Sequence, residues 1–163
     1  MNLCRGRELV NRVINLVEKK TGLTAVREYL GRIIYLDAIT LNNDRHLNNI
    51  SFKLFKDSSW GYMPVYDNGG ALLSDETLYP MGEKTTLSVK SKPFSTSFVK
   101  QTSYFSDDVT PLKINIEQFY KKTAMIIEQR QKFVPFKFTQ FQRALSILQN
   151  NLNKLEGKLW ESM

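Results

Sequence analysis

The 163 residues fit one domain with enough chain to bury a core, and a 42% hydrophobic content is that of an ordinary globular protein. The single cysteine, Cys4, excludes an internal disulfide, and no apolar run reaches the length of a membrane span. A net charge of +7 admits nucleic acid, an anionic surface or a phosphate-rich ligand as partner. The basic residues are spread along the chain, however, Lys84 to Lys100 carrying four lysines. With no zinc-finger spacing and no RNP-type motif, nucleic acid is not the expected partner. Met1 to Cys4 runs at once into charged helical sequence, so the expected compartment is a reducing cytoplasm.

Residues 5–20 are predicted to form an amphipathic helix, with Leu9, Val10, Val13, Ile14, Leu16 and Val17 at helical spacing. Lys19, Lys20 and Gly22 are its stop signals. A second helix is expected over 24–40, with Thr24 as N-cap and Val26, Tyr29, Leu30, Ile33, Leu36 and Ile39 as its apolar stripe. Asp37 lies near that stripe, and a partly buried acid there requires a partner, either a backbone amide or Arg45, an arginine equally able to approach a phosphate.

Residues 41–49 are polar and are read as a loop. Ile50 to Phe55 alternates apolar and polar residues, Asp57-Ser58-Ser59-Trp60-Gly61 is turn sequence, and Tyr62 to Tyr66 reads as the return strand of a hairpin over 50–66. Phe52 and Tyr66 are expected in the hairpin core. Asp67-Asn68-Gly69-Gly70 then breaks the strand. Residues 71–108 show little periodicity and are rich in Ser, Thr and Lys, a pattern expected of a disordered or functional loop. Two helices follow. Residues 115–131 carry Ile116, Phe119, Tyr120, Thr123 or Ala124, and Ile127 on one face, and residues 138–160 carry Phe141, Leu145, Leu148, Leu152, Leu155 and Leu159, with Pro135 between them. The expected fold class is mainly α with a small β-hairpin.

The unusual polar residues cluster around that hairpin. Asp44 and Asn49 are five apart, and Asp67 follows Asn49 by eighteen residues. Phosphoryl transfer needs a placed hydroxyl and neutralised phosphoryl oxygens rather than covalent work by the protein. Asp44 can accept or orient a hydroxyl proton, and Asn49 and Asp67 offer the hard oxygens that magnesium takes beside phosphate and water. A loop feeding a hairpin would bring Asn49 and Asp67 to one end of neighbouring strands. His46, the one histidine, has no His/Cys cluster around it; it is read as orienting the loop by hydrogen bonding, with general-base action as the alternative. Taken singly, each of these elements is ordinary Asn/Asp turn material. Their order and spacing on one loop–hairpin–loop is what points to chemistry.

Asn42-Asn43-Asp44-Arg45-His46-Leu47-Asn48-Asn49, preceded by Asp37 and followed by Tyr66-Asp67-Asn68-Gly69, resembles the catalytic core of the HipA-like and CtkA-type bacterial serine/threonine kinases. The strong match covers about residues 37–75, and Lys92-Pro93-Phe94-Ser95 is similar to later family sequence. The resemblance implies a protein-kinase-like C-terminal lobe with Asp44 as acid/base residue, Asn49 and Asp67 as magnesium ligands, and Asp37 and His46 in support. It implies ATP and Mg²⁺ as cofactors and a protein as substrate. The forty-three residues before Asp44 read as helices and offer no glycine-rich strand–turn–strand and no strand lysine. The expectation is therefore a lobe without an evident N-lobe, explained by a separate N-lobe or regulatory chain that completes it, by descent as a remnant of a longer gene, or by truncation of a longer protein. The alternative expectation is an inactive kinase-like interaction module, with Phe94, Phe98, Tyr104 and Phe105 as candidates for its exposed apolar surface or for ordinary packing of the long loop.

Overall fold

The computed structural model describes residues 6–80, 89–107, 109, 115–130 and 138–161, side chains at 127, 130, 138 and 155–161 excepted. The expectations for Pro135, for the 81–88 part of the long loop and for the side chains of Ile127, Leu155 and Leu159 lie outside the described residues.

Five α-helices and one two-stranded antiparallel sheet make up the regular structure of the described residues. Helix α1 spans Arg7–Thr21 and ends as its sequence dictates: Gly22 takes φ 74° and its N–H donates to the Glu18 carbonyl. Only Gly adopts that conformation at no steric cost. Val10 and Ile14 are buried, but Leu16 points to solvent, off the stripe assigned to it. Helix α2 spans Val26–Thr40. Thr24 does not cap it; the residue before the helix is Ala25, whose N–H donates instead to the Tyr62 hydroxyl at 3.0 Å.

Helix α2 is the centre of the molecule. Val26, Leu30, Ile33, Ile34, Tyr35, Ala38 and Ile39 are all buried, so it is covered nearly all round rather than along one stripe. Each large apolar side chain removed from water in this way contributes about 1.5–3 kcal/mol. One side meets α1 and the 94–109 region in a cluster of Val10, Ile14, Leu30, Ile34, Phe94 and Phe105. Gly31 allows that approach, since a Cβ there would lie 2.2 Å from Val109 Cγ2. The other end meets α5, which spans Phe138–Glu161, through Ile39, Leu148 and Leu152. Asn151 Nδ2 donates to the Ile39 carbonyl across this contact. Helix α4, Ile116–Arg130, lies beside α5, with the Tyr120 and Phe141 rings 5.4 Å apart.

The hairpin is shorter than its sequence pattern. Strands β1 (Phe52–Leu54) and β2 (Trp60–Tyr62) pair with Lys53 opposite Gly61, and residues 63–68 run on without ladder partners. The 71–108 stretch is not featureless: Ala71–Leu73 makes a tight turn in which Leu72 and Leu73 take positive φ, and Phe98–Thr102 forms a short helix, α3, packed on α2. Ser97 caps α3 by accepting from Lys100 N. No helix among the described residues is long and apolar enough to cross a membrane.

Candidate functional site

Helix α2 ends at Leu41, which takes the left-handed conformation, φ 52°. Leucine pays for that conformation only where packing holds it, and Leu41 is buried against Leu73 and Ile147. The turn throws residues 42–49 back across the end of the helix. There Asp37, fully buried, accepts from Arg45 Nε at 2.9 Å and Arg45 Nη2 at 3.0 Å, and from Asn42 Nδ2 at 2.9 Å. Arg45 is itself fully buried and uses all five of its N–H donors. Besides the two on Asp37, it donates to the carbonyls of Asn49 and Tyr66 and to Asn68 Oδ1. One guanidinium thus ties the end of α2 to both polar loops. Burial pushes the Asp37 carboxyl above the usual aspartate range, while the Arg45 hydrogen bonds and charge and the Asn42 amide pull it the other way. The choice left open for Arg45 resolves to Asp37.

Asn49 closes the 3₁₀ turn Leu47–Asn49, its N–H donating to the His46 carbonyl. Its side-chain Nδ2 donates to Asp67 Oδ2 at 2.7 Å, so residues eighteen apart in sequence are in direct contact. Asp67 takes φ 54°, a conformation aspartate tolerates better than most residues. Asn49 is 5% exposed, whereas Asp67 faces solvent. The 67–70 loop also touches the 42–44 loop: a Cβ at Gly70 would lie 2.7 Å from Asn43 Oδ1 and 3.1 Å from Asp44 Cβ. Any larger residue there would have to displace the Asn43 amide.

Asp44 is exposed, and its Oδ1 receives Lys92 Nζ at 3.1 Å. A cleft of about 440 Å³ opens beside it, lined by Asn43, Asp44, Gly69, Gly70, Asp75 and Lys92 among others. His46 is exposed, and its ring makes no hydrogen bond among the described residues. Its backbone carbonyl, not its ring, shapes the loop. The orienting role expected of His46 belongs to Arg45.

The hairpin is braced from α2. Tyr29 stacks against Phe52 and Tyr62, and its hydroxyl donates to the Met63 carbonyl at 2.9 Å. Phe52 packs on the core as expected. Tyr66 does not: it is 38% exposed, and its hydroxyl donates to the Asn48 carbonyl and pairs with Ser51 Oγ. It clips the two loops together from outside. Three residues with a part in this site escaped the sequence reading: Lys92, Gly70 and Gln101, the last holding the Lys92 loop. The Lys-Pro-Phe-Ser stretch was the one signal for Lys92.

No protein-family model, curated protein or solved structure matches the chain.

The donor set can be tested against magnesium on its own chemistry. Asn49 Oδ1 and Asp67 Oδ1 accept no hydrogen bond among the described residues and are hard oxygen donors. No group of three or more His, Cys, Asp or Glu among the described residues forms a metal cage. One amide and one carboxylate suit an ion that keeps its waters and takes its remaining ligands from phosphate, which is how magnesium binds in phosphoryl-transfer sites. They do not suit zinc.

The aromatic residues assigned to a possible partner surface are largely internal. Phe94 and Phe105 are buried with ring centroids 6.1 Å apart, Phe98 packs beside Leu41 and Leu73, and Tyr104 packs on the α1–α2 cluster.

Proposed function

We propose that this chain is a protein-kinase-like C-terminal lobe of the HipA-like or CtkA-like type, serving transfer of the γ-phosphoryl group of ATP to a serine or threonine hydroxyl of a protein. The observation that carries the reading is the contact between Asn49 and Asp67 at 2.7 Å, on two loops that Arg45 binds to one buried carboxylate. Turn chemistry alone accounts for Asn/Asp-rich loops. It does not account for a buried five-donor guanidinium that holds two such loops with an amide and a carboxylate touching.

In this reading the acceptor hydroxyl binds at Asp44, whose exposed carboxylate takes its proton. The hydroxyl oxygen forms a bond to the γ-phosphorus, the bond from that phosphorus to the β–γ bridging oxygen breaks, and ADP leaves with the electron pair. Asn49 and Asp67 would hold magnesium, which when bound neutralises charge on the β- and γ-phosphates. Asp37 and Arg45 act at one remove, fixing the loops. His46, whose ring is free among the described residues, contributes little to that positioning.

Helices α1 and α2 supply no glycine-rich strand–turn–strand, so the phosphate grip of an N-lobe would come from elsewhere, on a longer form of this protein or on a separate N-lobe or regulatory chain. A purely interacting module would need exposed apolar surface, and two of the four aromatics proposed for it, Phe94 and Phe105, lie in the core. Phosphoryl transfer is the reading the geometry supports best.

The test is transfer of labelled γ-phosphoryl from ATP to protein serine or threonine, with magnesium, by the chain alone and with any chain encoded beside it. Label incorporated by wild type and lost in Asp44→Ala supports the reading. A folded chain that transfers nothing in any combination sinks it.

A further inference from the structure

We propose that Lys92 is a phosphate-contacting residue of this site, its ammonium set against Asp44 so that it meets the γ-phosphoryl group during transfer. The inference rests on the phosphoryl-transfer reading above and deepens it, because Lys92 comes from a different part of the chain, forty-eight residues beyond Asp44.

The ion pair of Lys92 Nζ with Asp44 Oδ1, at 3.1 Å, joins side chains that are 55% and 58% exposed. Pairs of this kind contribute little to stability, so the fold does not account for its placement. The backbone beneath it is held firmly all the same. Gln101, on α3, is fully buried, and it spends its side chain on the loop that carries Lys92. Its Nε2 donates to the Lys92 carbonyl at 2.9 Å, and its Oε1 accepts from Phe94 N at 2.9 Å and Ser95 N at 3.2 Å. Ser91, also buried, closes the same loop, its N–H donating to the Thr96 carbonyl and its hydroxyl to the Ser95 carbonyl. Phe94 then anchors it in the core.

A buried amide costs free energy unless its hydrogen bonds are made. Here they are made to a short surface segment, and what that segment presents is one exposed cation lining the cleft. Among the described residues lining the cleft, Lys92 is the only cation, paired with Asp44 in a cleft that Asp75 also lines.

The chemistry requires a cation at this place. A hydroxyl bound at Asp44 attacks phosphorus from about 3–3.5 Å, so the phosphoryl oxygens arrive within reach of an ammonium already 3.1 Å from that carboxylate. Transferring phosphoryl groups are stabilised by lysine, arginine or magnesium aimed at their oxygens. Lysine suits the task as a compact charge on a flexible stem. It would exchange Asp44 for the phosphoryl group as the hydroxyl takes its place on the carboxylate.

A γ-phosphate contact distinguishes ATP from ADP, and the experiment uses that difference. Magnesium–ATP and magnesium–ADP are titrated calorimetrically into wild type, Lys92→Ala and Lys92→Arg. The exposed side chain makes both variants foldable. The expected result is an ATP affinity about tenfold or more weaker in Lys92→Ala, an ADP affinity unchanged within about twofold, and an ATP affinity largely restored in Lys92→Arg. If wild type binds both nucleotides and Lys92→Ala weakens both equally, weakens neither, or binds ATP more tightly, the Lys92 role is wrong and the phosphoryl-transfer reading stands. If wild type binds neither nucleotide, both fall together.

Discussion

Arg45 and Asp37 are both wholly buried and meet through two hydrogen bonds of 2.9 and 3.0 Å, the guanidinium fork against the two carboxylate oxygens. The other three donors of Arg45 reach Asn49, Tyr66 and Asn68. The pair is the joint on which the candidate site is assembled. Arg and carboxylate match bidentately in a way that lysine cannot reproduce.

Removing one partner of a buried pair leaves the other charged and unpaired. Arg45→Ala is therefore expected to lower unfolding stability by about 3–5 kcal/mol, read from urea unfolding of both proteins. A loss under about 1 kcal/mol would mean that the guanidinium does not organise these loops.

Gly70 and Gly69 are adjacent but not equivalent. A Cβ at Gly70 would meet Asn43 Oδ1 at 2.7 Å, while one at Gly69 meets nothing within 4 Å. Gly70→Ala is expected to cost about 1–3 kcal/mol by overpacking and to shift the amide resonances of Asn43 and Asp44. Gly69→Ala should stay within about 0.5 kcal/mol of wild type. Equal effects at the two positions would contradict the close approach of the loops.

Two carboxyls shift in opposite directions with pH. Asp75 is held below the usual aspartate range, first by the Thr77 hydroxyl and then by the backbone N–H groups of Thr77 and Leu78. Its contribution to stability is present above the ordinary aspartate range and is lost as pH falls through its lowered folded value. Asp37 is raised by burial, so its titration contributes stability below the ordinary range that is lost as pH rises through the folded value. Carboxyl carbon shifts followed against pH should place the Asp75 midpoint below, and the Asp37 midpoint above, that of an unfolded-chain aspartate. The reverse order would overturn both assignments.

Much of the fold was legible because helical period and stop signals act locally. Helix α1 starts and ends within two residues of its expected limits, and Gly22 terminates it for the reason its type suggests. What failed depended on tertiary packing. Thr24 has the right hydroxyl for a cap, but Tyr62 takes the neighbouring amide. Tyr66 alternates correctly for a core position, yet the ladder stops at Tyr62, so its ring stays outside and its hydroxyl is used instead. Helix α3 is too short to show a period; Ser97 as its cap was the available signal.

The site was legible in its spacing and obscure in its supports. Asn49 and Asp67 could be paired from the hairpin between them. Arg45 could not be assigned, since an arginine in a polar loop is as compatible with phosphate as with a buried acid. Lys92 reaches Asp44 from a segment with no regular pattern, where sequence gives no distance.

Asp44 and His46 share a loop but have different parts in the proposed transfer. Asp44→Ala is expected to reduce phosphoryl transfer by about 10²- to 10⁴-fold, the usual contribution of an acid/base group. His46→Ala should leave stability within about 0.5 kcal/mol of wild type and reduce transfer far less than Asp44→Ala. Transfer rates of the two variants, measured in the same assay, decide it. A His46→Ala loss equal to that of Asp44→Ala would give the imidazole the general-base role.

Magnesium-dependent ATP binding, measured by calorimetry on wild type and Asp67→Ala, asks whether Asn49 and Asp67 form a metal–phosphate site. The expected result is saturable binding by wild type that requires magnesium and is lost in Asp67→Ala while the variant remains folded. Equal binding by the two proteins, or no magnesium-dependent binding by folded wild type, would contradict a metal–phosphate site at Asn49 and Asp67.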